Sequence, residues 1–220
     1  MGLTCPNFNE WLYYFNLEVA NLTQFQYSIL SLIGAILLSV GVAVYSIWLK
    51  EVETRTLMTI ALCVKGIGSF FNVALTLKWY ESLGLSPYTF LFMTSSTLLP
   101  LTMGLFIIPP FVLIAKITPS HVEATVFSFS ASVINGCMYV LARMMGVLIN
   151  SLIFNITSDN LDDLYKLYIW EVCGAIVCLC YIPLIPTWEE VGIVQKHLAK
   201  LNLDAKTPLT VRRQGSIEPF

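Results

Sequence analysis

The sequence predicts an all-α membrane protein, a multi-pass helical bundle, and three observations carry that prediction. Five stretches are long and apolar enough to cross a bilayer. Mean hydropathy is +0.73, and 12% of the residues are charged, against about 25% in an ordinary soluble domain. One of the five stretches, Thr125 to Asn150, also carries polar residues at steps of three, four or seven: Thr125, Ser128, Ser132, Asn135, Tyr139, Arg143 and Asn150. At 100° per residue these fall within an arc of about 80° on one helix face, with Gly146 on the same line. Val126, Val133, Ile134, Val140, Met144 and Leu148 make the opposite face oily. A membrane helix with one wet face borders water or other polar helices, so the bundle has a polar interior.

Taken in order, residues 1–24 form an extracellular or interfacial segment. Its aromatic run at residues 8–20 contains Glu10 and Glu18 and is too short and polar to span. It reads as an interfacial segment or the outer end of a helix. Residues 25–186 form the five-span bundle. The first span is Tyr27 to Leu49, where Gly34 and Gly41 are seven apart on one face and permit close packing. The second is Thr56 to Leu77, with Lys65 inside it and interfacial chemistry (Lys78, Trp79, Tyr80, Glu81) at its end. The third, Tyr88 to Ala115, is longer than the ~30 Å hydrocarbon layer requires. Pro100 predicts a kink there, with hydroxyls of the Thr94–Thr97 run satisfying freed backbone groups, and Pro109-Pro110 predict a bend or an end.

A polar turn occupies residues 116–123, in which Thr118 or Ser120 is the expected cap of the striped helix. The striped helix runs to about Phe154, and the last span runs from Leu164 to about Pro186, with Glu171 inside it. Residues 187–220 are a polar tail whose stretch from Glu189 to Leu201 suits a surface helix.

Orientation is set by charge. Lys50, Arg55, Lys116, Lys196, Lys200, Lys206, Arg212 and Arg213 fall on one side, and Lys78 and Lys166 on the other. The positive-inside rule makes the first side, and the tail, cytoplasmic. The two glycosylation sequons, at Asn21 and Asn155, then lie outside, as glycosylation requires.

Several function classes drop out. Net charge is −2, which offers no attraction for nucleic acid. There is no nucleophile–base pair, Gly-rich phosphate loop or His/Cys metal spacing, so neither an enzyme, a cofactor nor a metal is expected. Five of the six cysteines lie in apolar spans and read as small hydrophobes; Cys5 is expected near water.

The run Pro110 to Lys116, then Pro119, then Glu123-Ala124-Thr125, resembles a hallmark segment of folate–biopterin transporters, a branch of the major facilitator superfamily. The aromatic opening Trp11 to Phe15, the loop from Tyr45 to Arg55, the Gly84-Leu85-Ser86 turn and Asn135-Gly136 are also similar to that family. Two positions depart from it. Ser120, His121 and Val122 stand where the family usually has a glycine, and Pro87 where an acidic residue usually comes after the turn. The resemblance covers about residues 5–190 and only the second of the family's two six-helix halves. It implies that the five spans are helices eight to twelve, and that residues 8–20 are the outer end of helix seven.

The same resemblance implies a carrier that binds a folate- or pterin-like solute near the midplane, between halves that rock. The missing first half, or a second half-transporter, is then the expected partner beside the lipid bilayer. The plasma membrane is the default location and an organelle membrane the alternative. A non-transporting, partner-binding half-length protein is the other reading of the chain.

Ser128, Ser132, Asn135, Tyr139 and Arg143 are the candidate cavity-lining residues. Arg143 suits a substrate carboxylate, or else an ion pair with Glu171. Lys65, Glu123 and Glu171 are candidate coupling or structural charges. Lys65 calls for water or an internal acid partner, Glu123 for a gating or capping contact with Lys116, and the resemblance places the helices of Lys65 and Glu171 at the periphery.

Overall fold

The computed structural model describes residues 4–119, 122–158 and 160–206. Helix α1, Asn9–Tyr14, continues as a wide turn over Phe15–Val19. The spanning helices α2, Gln24–Leu49, and α3, Thr54–Thr76, come next. A short helix α4, Trp79–Ser82, leads into α5, Pro87–Ile117. After it stand α6, Glu123–Phe154, and α7, Tyr165–Leu184. Helix α8, Trp188–Lys206, closes the described chain. Among the described residues there is no strand. Five helices (α2, α3, α5, α6 and α7) are long and apolar enough to cross a membrane.

The helix starts are explained by local chemistry. Thr23 caps α2 through a reciprocal box: its hydroxyl accepts from the Gln26 N–H, and the Gln26 side chain accepts from the Thr23 N–H. Ser86 caps α5, and Pro87, which has no N–H to satisfy, takes the first helical position. Thr118, one of the two residues expected to cap α6, does not do so. The cap position of α6 is Val122, without a side-chain bond. The Thr118 hydroxyl turns back to donate to Ile114 O at 2.7 Å, and Ser120 lies outside the described residues.

Helix α5 breaks where its hydroxyls are, not at its prolines. The break is at Thr94, whose φ/ψ of −115°/−103° leaves the helical region. Pro100, Pro109 and Pro110 all sit inside the continuous segment Ser95–Ile117. The expected repair is present: the Thr94 hydroxyl donates to Phe90 O at 2.6 Å, and the Thr97 hydroxyl donates to Phe92 O across the break. The bend therefore falls one and a half turns before Pro100, where two threonines can hold carbonyls that the backbone has let go.

Packing depends on small residues at crossings. A Cβ on Gly41 would overlap Leu101 O, and one on Gly104 would stand 2.8 Å from Val42 N. Helices α2 and α5 therefore touch backbone to backbone, as the Gly34/Gly41 face predicted. A second close approach involves the segment before α1. Its Asn7 N–H donates to Ala142 O at 2.9 Å. Its carbonyls at Asn7 and Thr4 lie where side chains on Gly146 and Gly174 would be. The segment thus lies in a channel floored by glycines of α6 and α7.

Each end of the bundle is tied by polar contacts. At one end Trp11 Nε1 donates to Ile156 O at 3.3 Å, and Asn150 holds both backbone groups of Ile156, at 2.8 and 2.9 Å. At the other, the Arg55 guanidinium donates to Ile185 O and Pro183 O, and the Lys116 ammonium sits 3.4 Å over the Trp188 ring. The expected surface helix of the tail is present as α8, opened by a Thr187/Glu190 capping box.

Candidate functional site

Two polar arrangements lie at bilayer depth. The first is the stripe on α6. Ser128, Asn135, Tyr139 and Arg143 are at least partly exposed, as is Ser132, and Glu123–Asn135 buries none of its residues. Within this bundle the stripe faces outward. Arg143 does not pair with Glu171; it lies 3.7 Å from Glu10 of α1, with both side chains largely exposed. The stripe also does not keep one face to its end. A wide turn at Gly136–Leu141 inserts an extra residue, which rotates the rest of the helix. Gly146 and Asn150, on the predicted line, are buried. Asn150 is a structural clamp for the Ile156 loop.

The second arrangement is internal. Lys65 of α3 donates to Glu171 Oε1 of α7 at 2.5 Å. Lys65 thus has the internal acid partner expected of it, and Glu171 is the partner of Lys65 rather than of Arg143. Both side chains line a partly open cavity of about 540 Å³ between α1, α2, α3, α5, α6 and α7. The pair is only 29% and 11% exposed. An ion pair so shielded persists only because each charge cancels the other's desolvation.

The pair heads a polar column that sequence reading missed. Ser69, Asn72 and Thr76 continue from Lys65 along α3 at steps of four, three and four, within about 60° of one another. Ser69, Asn72 and Thr76 are buried. The Thr76 hydroxyl bonds its own helix at Asn72 O and Val73 O. Ser69 Oγ and Asn72 Oδ1, and Asn16 Oδ1 from the wide turn after α1, have no hydrogen-bond partner among the described residues. The spacing was readable in the sequence. The two mild residues Ser69 and Thr76 hid it among glycines and aromatics.

The remaining candidates fall at the ends. Glu123 is exposed at the start of α6. Its expected partner Lys116 is held by Trp188 instead. Asn21 and Asn155 are exposed and both adopt a left-handed backbone, with φ of 53° and 52°, as asparagine tolerates at helix ends. Cys5 is buried rather than near water, packed with Cys178 among the residues around Leu62.

A bundle of spanning helices that keeps a charged pair against an internal cavity, and a polar face on a further helix, is of the class to which solute carriers belong. The sequence comparisons agree with that class. The chain belongs to the BT1 family, whose sequence profile matches residues 7–200. It is also similar to the probable folate-biopterin transporter 8, chloroplastic, of Arabidopsis thaliana, at 27% identity over 188 residues. That alignment covers 84% of this chain and 34% of the relative, so the chain spans about a third of the relative's length. No solved structure matches. That relative is named a transporter.

Proposed function

We propose that the chain forms one half of a gradient-driven carrier for folate, biopterin or a related pterin or organic anion, working by alternating access. The observation that carries this reading is the outward-facing stripe on α6. Ser128, Ser132, Asn135, Tyr139 and Arg143 are polar, outward-facing and at bilayer depth. Such a face is costly against lipid and stable against water or a second polar bundle. A solute path between two bundles satisfies it. The asparagine and tyrosine suit a flat heteroaromatic ring, and the guanidinium suits a carboxylate. The name of the Arabidopsis relative supports the folate or biopterin class.

The test is uptake of labelled folate and biopterin into cells expressing the chain. Arg143→Lys keeps the charge but loses the two-pronged fork, so it lowers uptake at unchanged membrane abundance; normal uptake in that variant counts against substrate contact by Arg143. The same cells, imaged with a fluorescent tag, locate the chain, with the plasma membrane expected and an organelle membrane the alternative. The tail after α7 is cytoplasmic in this reading, since the basic residues Lys50, Arg55 and Lys116 share its end.

A second reading draws on the same outward-facing stripe. In it, the chain does not transport; the stripe is a docking face and the chain a partner-binding subunit. Absence of uptake, with the chain abundant and co-purifying with another membrane protein that stripe substitutions release, selects this reading.

A further inference from the structure

The internal cavity is a second polar site, separate from the stripe. Among the described residues, Lys65 and Glu171 are the only charged side chains on its wall. The cavity is therefore neutral as it stands, with one ammonium and one carboxylate. Its volume, about 540 Å³, lies in the range of small-molecule sites. Asn16 and Asn72 also line it, are 2% and 3% exposed, and each carries a side-chain oxygen without a donor among the described residues. Burying such an atom unpaired is unfavourable. These amides mark the wall as one that can receive an N–H-bearing ring.

The groups that face Glu171 are few. Lys65 comes from α3. Cys5 comes from the segment before α1 and Tyr168 from α7 itself, while α2 brings Tyr27 near Tyr168. Helices α5 and α6 bring no charge to the cavity; Arg143 of α6 is turned to Glu10. Among the described residues, Glu171 therefore has one cation within reach and no substitute for it.

Resting on the reading of the chain as a carrier for pterin-like solutes, we infer that Lys65 is an anion site, at which an incoming carboxylate replaces Glu171 while Glu171 takes up one proton. Two carboxylates beside one ammonium would leave a net negative charge in a largely shielded setting. A proton on Glu171 removes it. The balance is one carboxylate and one proton in, with the Lys65–Glu171 contact exchanged for a Lys65–ligand contact and a neutral acid. The site thus discriminates by charge: an anionic pterin such as folate drives the exchange, whereas biopterin, which has no carboxylate, does not.

The experiment is equilibrium binding of folate and of biopterin to the purified full chain in detergent micelles from pH 5.5 to 8. Folate affinity is expected to tighten as pH falls, approaching tenfold per pH unit for one linked proton, while biopterin affinity stays level. Glu171→Gln imitates the protonated acid, so folate binds tightly at every pH. Lys65→Gln loses the pH-dependent part of folate binding and keeps biopterin binding. If the variants fail to fold, the pH slope of folate binding to the unaltered chain decides. Folate binding without pH dependence in the unaltered chain, or an unchanged slope in Glu171→Gln, overturns the exchange while leaving the carrier reading intact. Binding of neither compound overturns the carrier reading and this site together.

Discussion

Four residues show how differently polar groups behave at bilayer depth. Lys65 and Glu171 are joined at 2.5 Å and shielded. Removing one partner leaves the other's charge stranded. Lys65→Met is therefore expected to destabilise the protein by about 3 kcal/mol, and the double substitution Lys65→Met/Glu171→Leu to recover most of that loss. Thermal unfolding in detergent micelles measures both. Arg143 is the contrast: its contact with Glu10 is 3.7 Å and exposed, and such pairs contribute about 0–1 kcal/mol. Arg143→Lys should leave the unfolding temperature in place even where it lowers uptake. Asn150 holds Ile156 by two hydrogen bonds in a buried setting. Asn150→Ala is expected to cost about 1–3 kcal/mol, and the loop carrying Asn155 should then exchange its amide hydrogens faster.

At the scale of elements, periodicity explains most of what is seen, and local exceptions explain the rest. The seven-residue spacing of Gly34 and Gly41 foretold a close crossing, and α5 fills it, with Leu101 O where the Gly41 Cβ would be. Gly41→Val has no room to relax, since the obstacle is backbone. It should lower membrane abundance sharply, which immunoblotting of membrane fractions checks. The tail helix α8 makes a pH-dependent case. The Thr187 backbone N–H, and then its hydroxyl, hold the Glu190 carboxyl below its ordinary value. A lowered value in the folded state means that the contribution is present above the unfolded carboxylate range, ~4.3, and lost as pH falls through the folded value. Protease protection of α8 should hold at pH 7 and weaken below about pH 4. Glu190→Gln, which keeps the acceptor but cannot titrate, should remove that acid step.

For the whole molecule, the decisive arrangement is the placing of the five spans around a cavity, with one polar face turned outward. The apolar spans and their order were legible, because each depends on a single segment, on its length and its hydropathy. The resemblance to folate–biopterin transporters was legible for the same reason, since Glu123-Ala124-Thr125 and the run before it lie close together in the chain. The polar column of α3 was legible in principle, at steps of four, three and four.

What a single segment could not reveal is pairing between segments. Lys65 and Glu171 are 106 residues apart, and helical periodicity gives each a face but not a neighbour. The sequence offered Arg143 as a partner for Glu171 on depth alone; the fold places α3, not α6, against that side of α7. Depth in the bilayer is fixed by position along a helix, which the sequence determines by itself. The partner at that depth is fixed by how helices rotate and cross. Those rotations depend on glycine contacts between distant segments and on the extra residue of the wide turn in α6, and only the tertiary structure decided them.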